Sequence, residues 1–166
     1  KTPNYKGYWL GFRRIARSTD CRTLITTVIP PGYCCAESIT FNANKLDEKV
    51  LCYLCGILNS FVLDYFIRQK VSANINMFHF MELPVPRLSS GNKFEAIVRK
   101  AAQLVCVTKE FDELKKLVGA EGITDDNSRA LARAQLDAMV AKLYDLTKEE
   151  LAYILEKFPI VEQKQK

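Results

Sequence analysis

Residues 51–87, LCYLCGILNSFVLDYFIRQKVSANINMFHFMELPVPR, decide how this chain folds. From Glu48 to Arg68 the apolar residues Leu51, Leu54, Leu58, Phe61, Val62, Tyr65 and Phe66 recur at helical spacing, the stripe that a helix turns toward a core. This helix leaves through Arg68, Gln69 and Lys70, and the polar run Ser72-Ala73-Asn74-Ile75-Asn76 follows. Asn76 to Leu83 then reads as an aromatic strand, stopped by Pro84 and Pro86. Such an order carries basic and amide side chains to the end of a rigid element, an arrangement suited to contacting nucleic acid.

Strand signals lie on the N-terminal side. Between Tyr5 and Ile15, Tyr8, Leu10 and Phe12 alternate with Trp9, Gly11 and Arg13, the period of a strand. Thr23–Ile29 is dense in β-branched residues and stops at Pro30-Pro31-Gly32, a turn signal. Glu37–Asn42 gives another short strand. After Leu83 and the boundary Ser89-Ser90-Gly91-Asn92, the pattern is helical throughout. One stripe runs from Phe94 to Val118 and ends at a break over 119–126. A second helix, capped by Asn127 or Ser128, has a core face of Leu131, Ala134, Leu136, Met139, Val140 and Leu143. Thr147 and Glu150 form a capping box that opens a last helix through Lys157, and the tail 162–166 is expected to fray. The fold expected is therefore α+β. A small mixed sheet packed on the 48–69 helix occupies residues 1–90, and a helical C-terminal subdomain occupies 91–166.

Charge is spread unevenly. The net +5 lies wholly in residues 1–91, with 11 Lys/Arg against 6 Asp/Glu, whereas 92–166 holds 13 of each. Residues 1–22 alone carry 6 basic residues and 1 acidic. A positive excess confined to one half points to a polyanion-facing surface there. No apolar run reaches membrane-spanning length. The start, Lys1-Thr2-Pro3-Asn4-Tyr5, carries neither an initiator Met nor a signal-peptide pattern, so the chain is expected to be part of a longer cytoplasmic protein. Its six cysteines then read as reduced thiols. Cys52 and Cys55, with Cys34 and Cys35, could in principle complete a zinc set, but the first two fall inside an apolar helix, where small buried side chains belong.

Catalytic machinery is scarce. The single histidine, His79, stands between Phe78 and Phe80 without a nucleophile elbow or a second metal-ligating histidine. Ile29-Pro30-Pro31-Gly32 lacks the leading amide and the stacking aromatic of an amino-methylating loop. Asp47-Glu48-Lys49 and Glu113-Leu114-Lys115 match part of a nuclease pattern, but read better as a helix start and a solvated helix face. Binding residues are the stronger signal. Arg13, Arg14, Arg17 and Arg22 cluster with Ser18 and Thr19 between two strands, and arginine forks suit phosphates and guanine edges. Arg68, Gln69 and Lys70 at the helix exit can add backbone contacts, although basic residues also favour helix C-termini. Asn74 and Asn76 offer amide forks to adenine, or shape a turn. A neutral, amphipathic helical half leaves a protein-docking module as the alternative reading.

Three stretches together resemble the C-terminal, TaqI-like target-recognition region of adenine-specific DNA methyltransferases and type IIG restriction–modification enzymes. They are RIARSTDCRTLI (14–25) running to IPPG (29–32); LNSFVLDY (58–65) through RQKV (68–71) to LPVP (83–86); and AQLDAMVA (134–141), LYDLTKEE (143–150) and YIL (153–155) to Phe158-Pro159. Where the family often has Gly-Gly-Thr after RQKV, this chain has Ser72-Ala73-Asn74. The resemblance implies a specificity domain rather than an enzyme in its own right. Arg13, Arg14, Arg17, Ser18, Thr19, Arg22, Arg68, Gln69, Lys70, Asn74 and Asn76 would then meet double-stranded DNA. It also implies an upstream methyltransferase domain as partner, which would hold S-adenosylmethionine and, for cleavage, magnesium.

Overall fold

The N-terminal alternation builds a strand, β1 (Trp9–Arg13), in the computed structural model, which describes residues 6–42 and 44–158. Tyr8, Leu10 and Phe12 enter the core. β2 (Thr26–Ile29) and β3 (Ile39–Phe41) flank β1, giving the order β2-β1-β3. All pairing is antiparallel, so the α+β expectation holds with an antiparallel rather than a mixed sheet. Register follows the hydrophobic pattern, with Trp9 opposite Ile29, Phe12 opposite Thr26 and Gly11 opposite Phe41.

The expected 48–69 helix is two helices. Asp47 caps α1 (Glu48–Leu58) by accepting the Lys49 and Val50 N–H groups, and α2 (Phe61–Arg68) starts from Ser60, whose hydroxyl accepts from Leu63 N–H. Their axes differ by 64°. Asn59 explains the break, because its side chain turns to the sheet instead of continuing the helix. Its amide donates to Thr26 O at 2.9 Å and accepts from Thr26 N at 3.1 Å. Asn59 thus stands in for a neighbouring strand at the edge of β2, where unpaired backbone groups would otherwise remain.

Beyond α2 the chain returns to the sheet as a short extended segment. Ala16 N–H donates to Ala73 O (3.1 Å), Ile75 N–H donates to Arg14 O (2.8 Å), and Ile15 pairs with Asn74 in an isolated bridge. Ile75 is fully buried while Ser72, Ala73, Asn74 and Asn76 face out. The strand expected over 76–83 does not form. Met77–Met81 is a one-turn helix, α3, whose Phe80 N–H bonds back to Asn76 O. Phe80 stacks on Phe12 with ring centroids 4.3 Å apart. The turn satisfies its own backbone while still packing one partly buried aromatic against the core, which a strand without a partner could not do.

The helical half also differs in detail. The stripe from 94 to 118 divides into α4 (Asn92–Val105), a 3-10 turn at Lys109–Phe111 and α5 (Asp112–Val118), with Cys106 leaving helical geometry and Gly119 ending α5 in the left-handed region. Asp125, not Asn127 or Ser128, caps α6 (Asp126–Leu143) through Ser128 N–H. Leu136 and Val140 are buried as expected and Met139 and Leu143 pack partly buried against the core, but Leu131 and Ala134 face solvent and Ala132 and Ala141 take their place. The Thr147–Glu150 capping box is present at the start of α7 (Lys148–Glu156). The expected tail at 162–166, like Tyr5 and Pro159, lies outside the described residues.

One hydrophobic core runs from Tyr8 to Val140 and crosses the 90/91 boundary. Tyr53 on α1 meets Phe94 on α4 with centroids 5.1 Å apart. Gly56 lets the two helices approach, since a Cβ there would lie 3.0 Å from Ile97 and 3.2 Å from Ala101. No single helix among the described residues is long and apolar enough to cross a membrane. Replacing Asn59 with Ala removes the bonds that close the β2 edge. It should cost about 1–3 kcal/mol in a urea unfolding titration, and an unchanged midpoint would show that Asn59 does not close that edge.

Candidate nucleic-acid interface

Beneath the surface lies a buried ion cluster. Asp64 on α2 has a fully buried carboxylate. It accepts the Thr23 N–H at 3.1–3.2 Å and meets Arg22 Nε at 2.9 Å. Arg68 Nε lies 3.5 Å away, an ionic contact without hydrogen-bond alignment. Burial pushes the Asp64 carboxyl upward, and the two guanidinium groups and the Thr23 N–H oppose that shift without reversing it. Arg68 also donates to Asp20 O (3.1 Å) and Lys157 O (3.2 Å), and lies 3.8 Å over the Phe158 ring. Arg22 donates to Asn59 O and lies 4.0 Å over Phe61. Two of the expected DNA-contacting residues, Arg22 and Arg68, are thereby committed to the protein itself. Their forks close around a buried acid and backbone carbonyls rather than facing solvent.

Above this cluster the other sequence candidates emerge. Arg13 pairs with Asp20 (3.0 Å) and donates to Arg22 O (3.0 Å), so it braces the 17–20 turn. Asp20 also accepts Arg17 N–H. Arg14 makes an ion pair with the exposed Glu37 (2.7 Å), an interaction that contributes little at a surface and is easily exchanged. Arg17 is exposed and, among the described residues, its guanidinium has no acidic partner, while Ser18 and Thr19 follow it in the turn. The bonds joining 14–16 to 73–75 set Asn74 beside Ile15, and Asn76 begins α3 without using its side chain as a cap. Arg14, Arg17, Ser18, Thr19, Asn74 and Asn76 thus lie on two adjoining segments. Gln69 and Lys70 are exposed at the end of α2, with Lys70 held by Glu82 (2.6 Å) and lying 4.9 Å over Phe66.

Sequence reasoning missed two groups here. Asp20 and Asp64 organise the arginines, and the only sequence signal was an acid placed inside the apolar stripe of α2. Ile15, Met77, Phe78 and Met81 are exposed apolar side chains on the same two segments, hidden by reading 76–83 as a strand. His79 belongs to α3, its ring centroid 3.9 Å from that of Phe78, and its Nδ1 is enclosed without a partner among the described residues.

On another side, a cleft of about 570 Å³ opens between β2 and α6, lined in part by Arg22, Asn59, Phe61, Arg129, Arg133 and Asp137. Asp137 accepts the Phe61 N–H at 2.8 Å, capping α2 from a different helix. Burial pushes its carboxyl up to about 6, against the Phe61 hydrogen bond and Arg22. Cys55 and Cys106 are likewise pushed up to about 11 by burial, and Cys52 is raised. These thiols sit in the core as small apolar groups, while Cys34 is exposed. Among the described residues no group of three or more His, Cys, Asp or Glu side chains could hold a metal ion. No protein-family model, no curated protein and no solved structure matches the chain.

Removing one member of the buried cluster leaves a charge without its partner. Asp64→Ala should therefore cost about 3–5 kcal/mol in chemical denaturation, and Arg22→Ala should also destabilise, whereas Arg17→Ala should leave the midpoint unchanged. A stable Asp64→Ala variant would show that the cluster does not hold the fold. Asp137 generates a pH signature. Its folded value exceeds its unfolded one, so the native state binds the extra proton, and stability falls as pH rises from about 4 to 6. Asp137→Asn should remove that part of the decline in melting temperature between pH 4 and 6 and keep the Asp64 part, which has the same sign.

Proposed function

We propose that this chain reads sequence in double-stranded DNA. In this reading it is the target-recognition region of an adenine-specific DNA methyltransferase or type IIG restriction–modification enzyme. The observation that carries the reading is the backbone junction between 14–16 and 73–75. It pairs the 14–16 segment, which leads into Arg17, Ser18 and Thr19, with the 73–75 segment, which carries Asn74 and leads into Asn76, although the two are far apart in the chain. Cations that clamp phosphates next to amides that pair with adenine edges are what sequence readout requires. The positive excess of the first 91 residues supports the same face. Arg22 and Arg68 act from below, holding the turn that presents Arg17.

The chemistry belongs to a methyltransferase partner domain, which would flip the adenine out of the duplex and methylate it. S-adenosylmethionine, and magnesium where cleavage follows, belong to that domain, and no residue described above is assigned to them. This chain would supply the choice of site.

Arg17→Ala combined with Arg14→Ala tests the reading without disturbing the buried cluster. In fluorescence-anisotropy titrations with the cognate duplex, the double variant should bind more weakly. Its plot of log K against log salt should be shallower by roughly 0.9 for every phosphate that is no longer neutralised. Asn74→Ala should instead relax preference at one adenine by about 1–3 kcal/mol with the salt slope kept. Wild-type binding that ignores salt would sink the proposal.

A further inference from the structure

Among the described residues, the apolar face of α3 has no partner. Met77, Phe78 and Met81 are 49%, 59% and 74% exposed. At 3.6 residues per turn they fall within about 100° of one another, forming one stripe. Phe80, on another side of the helix, stacks on Phe12 and fixes α3 to the sheet, and the His79 ring lies against Phe78. The stripe is therefore held on a braced turn. Ile15, 57% exposed, continues the apolar surface toward Asn74.

A partner that is apolar at its centre and negative at its rim fits this stripe. Arg14, whose surface ion pair with Glu37 is easily exchanged, stands on the segment paired with the strand that leads into α3, and the exposed Arg17 lies three residues further along it. Glu82, the acid next to α3, is neutralised by Lys70 at 2.6 Å. A base step has flat apolar faces bordered by phosphates, and meets both demands. Met and Phe are among the side chains that wedge between bases and kink a duplex.

Building on the DNA-reading function above, we propose that Met77, Phe78 and Met81 form an intercalating wedge. It unstacks one base step next to the strand gripped by Arg14 and Arg17. Phe78 enters the step, braced by His79, and the two methionines line its sides. The kink turns the duplex toward the amide and arginine strip, so recognition gains a dependence on how easily that step deforms.

The test uses the intact protein and cognate duplexes carrying 2-aminopurine at single positions other than the methylated adenine. Wild-type protein should raise the fluorescence at one step, reporting unstacking. Phe78→Ala should abolish that rise and weaken binding about tenfold, within the range for removing one base–aromatic stack, with an unchanged salt slope and melting temperature. Phe78→Trp should restore the signal. Arg17→Ala should weaken binding and flatten the salt slope, yet keep the rise at saturating protein. If wild-type protein binds with the expected salt dependence and Phe78→Ala behaves identically, the wedge is wrong and the DNA reading stands. If wild-type protein binds no duplex, both fall. A dimer that dissociates on Phe78→Ala, with no change at any base step, would overturn the wedge in favour of a contact between copies of the chain.

Discussion

The rest of the structure depends on one buried carboxylate. Asp64 is wholly out of water, and burial raises its proton affinity even with two arginines beside it. Desolvation outweighs attraction at this point, as it commonly does for buried ion pairs. The cluster thus contributes less to net stability than to deciding which segments may meet. Through Thr23, Arg22 and Arg68 it joins the turn before β2, helix α2 and the segment that follows α7 at Lys157–Phe158. The Thr23 hydroxyl bonds to Arg17 O, and Arg68 holds Asp20 O. The position of the exposed Arg17 is therefore set from beneath by a group that never reaches the surface.

A second tier of polar side chains joins elements that hydrophobic contact alone would leave free to slide. Asn59 ends α1, bends the path into α2 and seals the edge of β2 with one side chain. Asp137 reaches from α6 to cap the start of α2. Such contacts are directional where packing is not, so they fix register between layers that share one continuous core. The upward push on the Asp137 carboxyl follows from the same placement, since reaching the Phe61 N–H carries it in between α6 and α2.

Much of this fold was legible in the sequence. Period-two alternation found β1, β-branched density found β2, and the Thr147–Glu150 box marked α7 to within a residue. Local signals were sufficient there because local bonds decide the outcome. They were insufficient wherever a distant partner decides. The apolar stripe continues through Asn59 and Ser60, so periodicity could not see that Asn59 prefers the sheet. An aromatic run over 76–83 fits a strand until one asks which strand remains to pair with it. Arg22 and Arg68 resembled surface cations because an arginine's role depends on what lies opposite it, and Asp64 was legible only as an acid in an apolar stripe. For the exposed strip, the residues were legible one by one, but their meeting was not, because it rests on backbone bonds that no side chain announces.

That junction has an evolutionary consequence. Every bond across it is main chain to main chain, and only Ala16 and Ile75 are locked by burial. Proline is barred at those two positions, since both donate their N–H. At Arg14, Ile15, Ala73 and Asn74 the side chains take no part in the seam. Side-chain changes at these positions leave the seam's bonds in place, proline at Arg14 excepted, because its N–H donates to Ser38 O. Such a surface can change its side chains faster than the scaffold beneath it can drift.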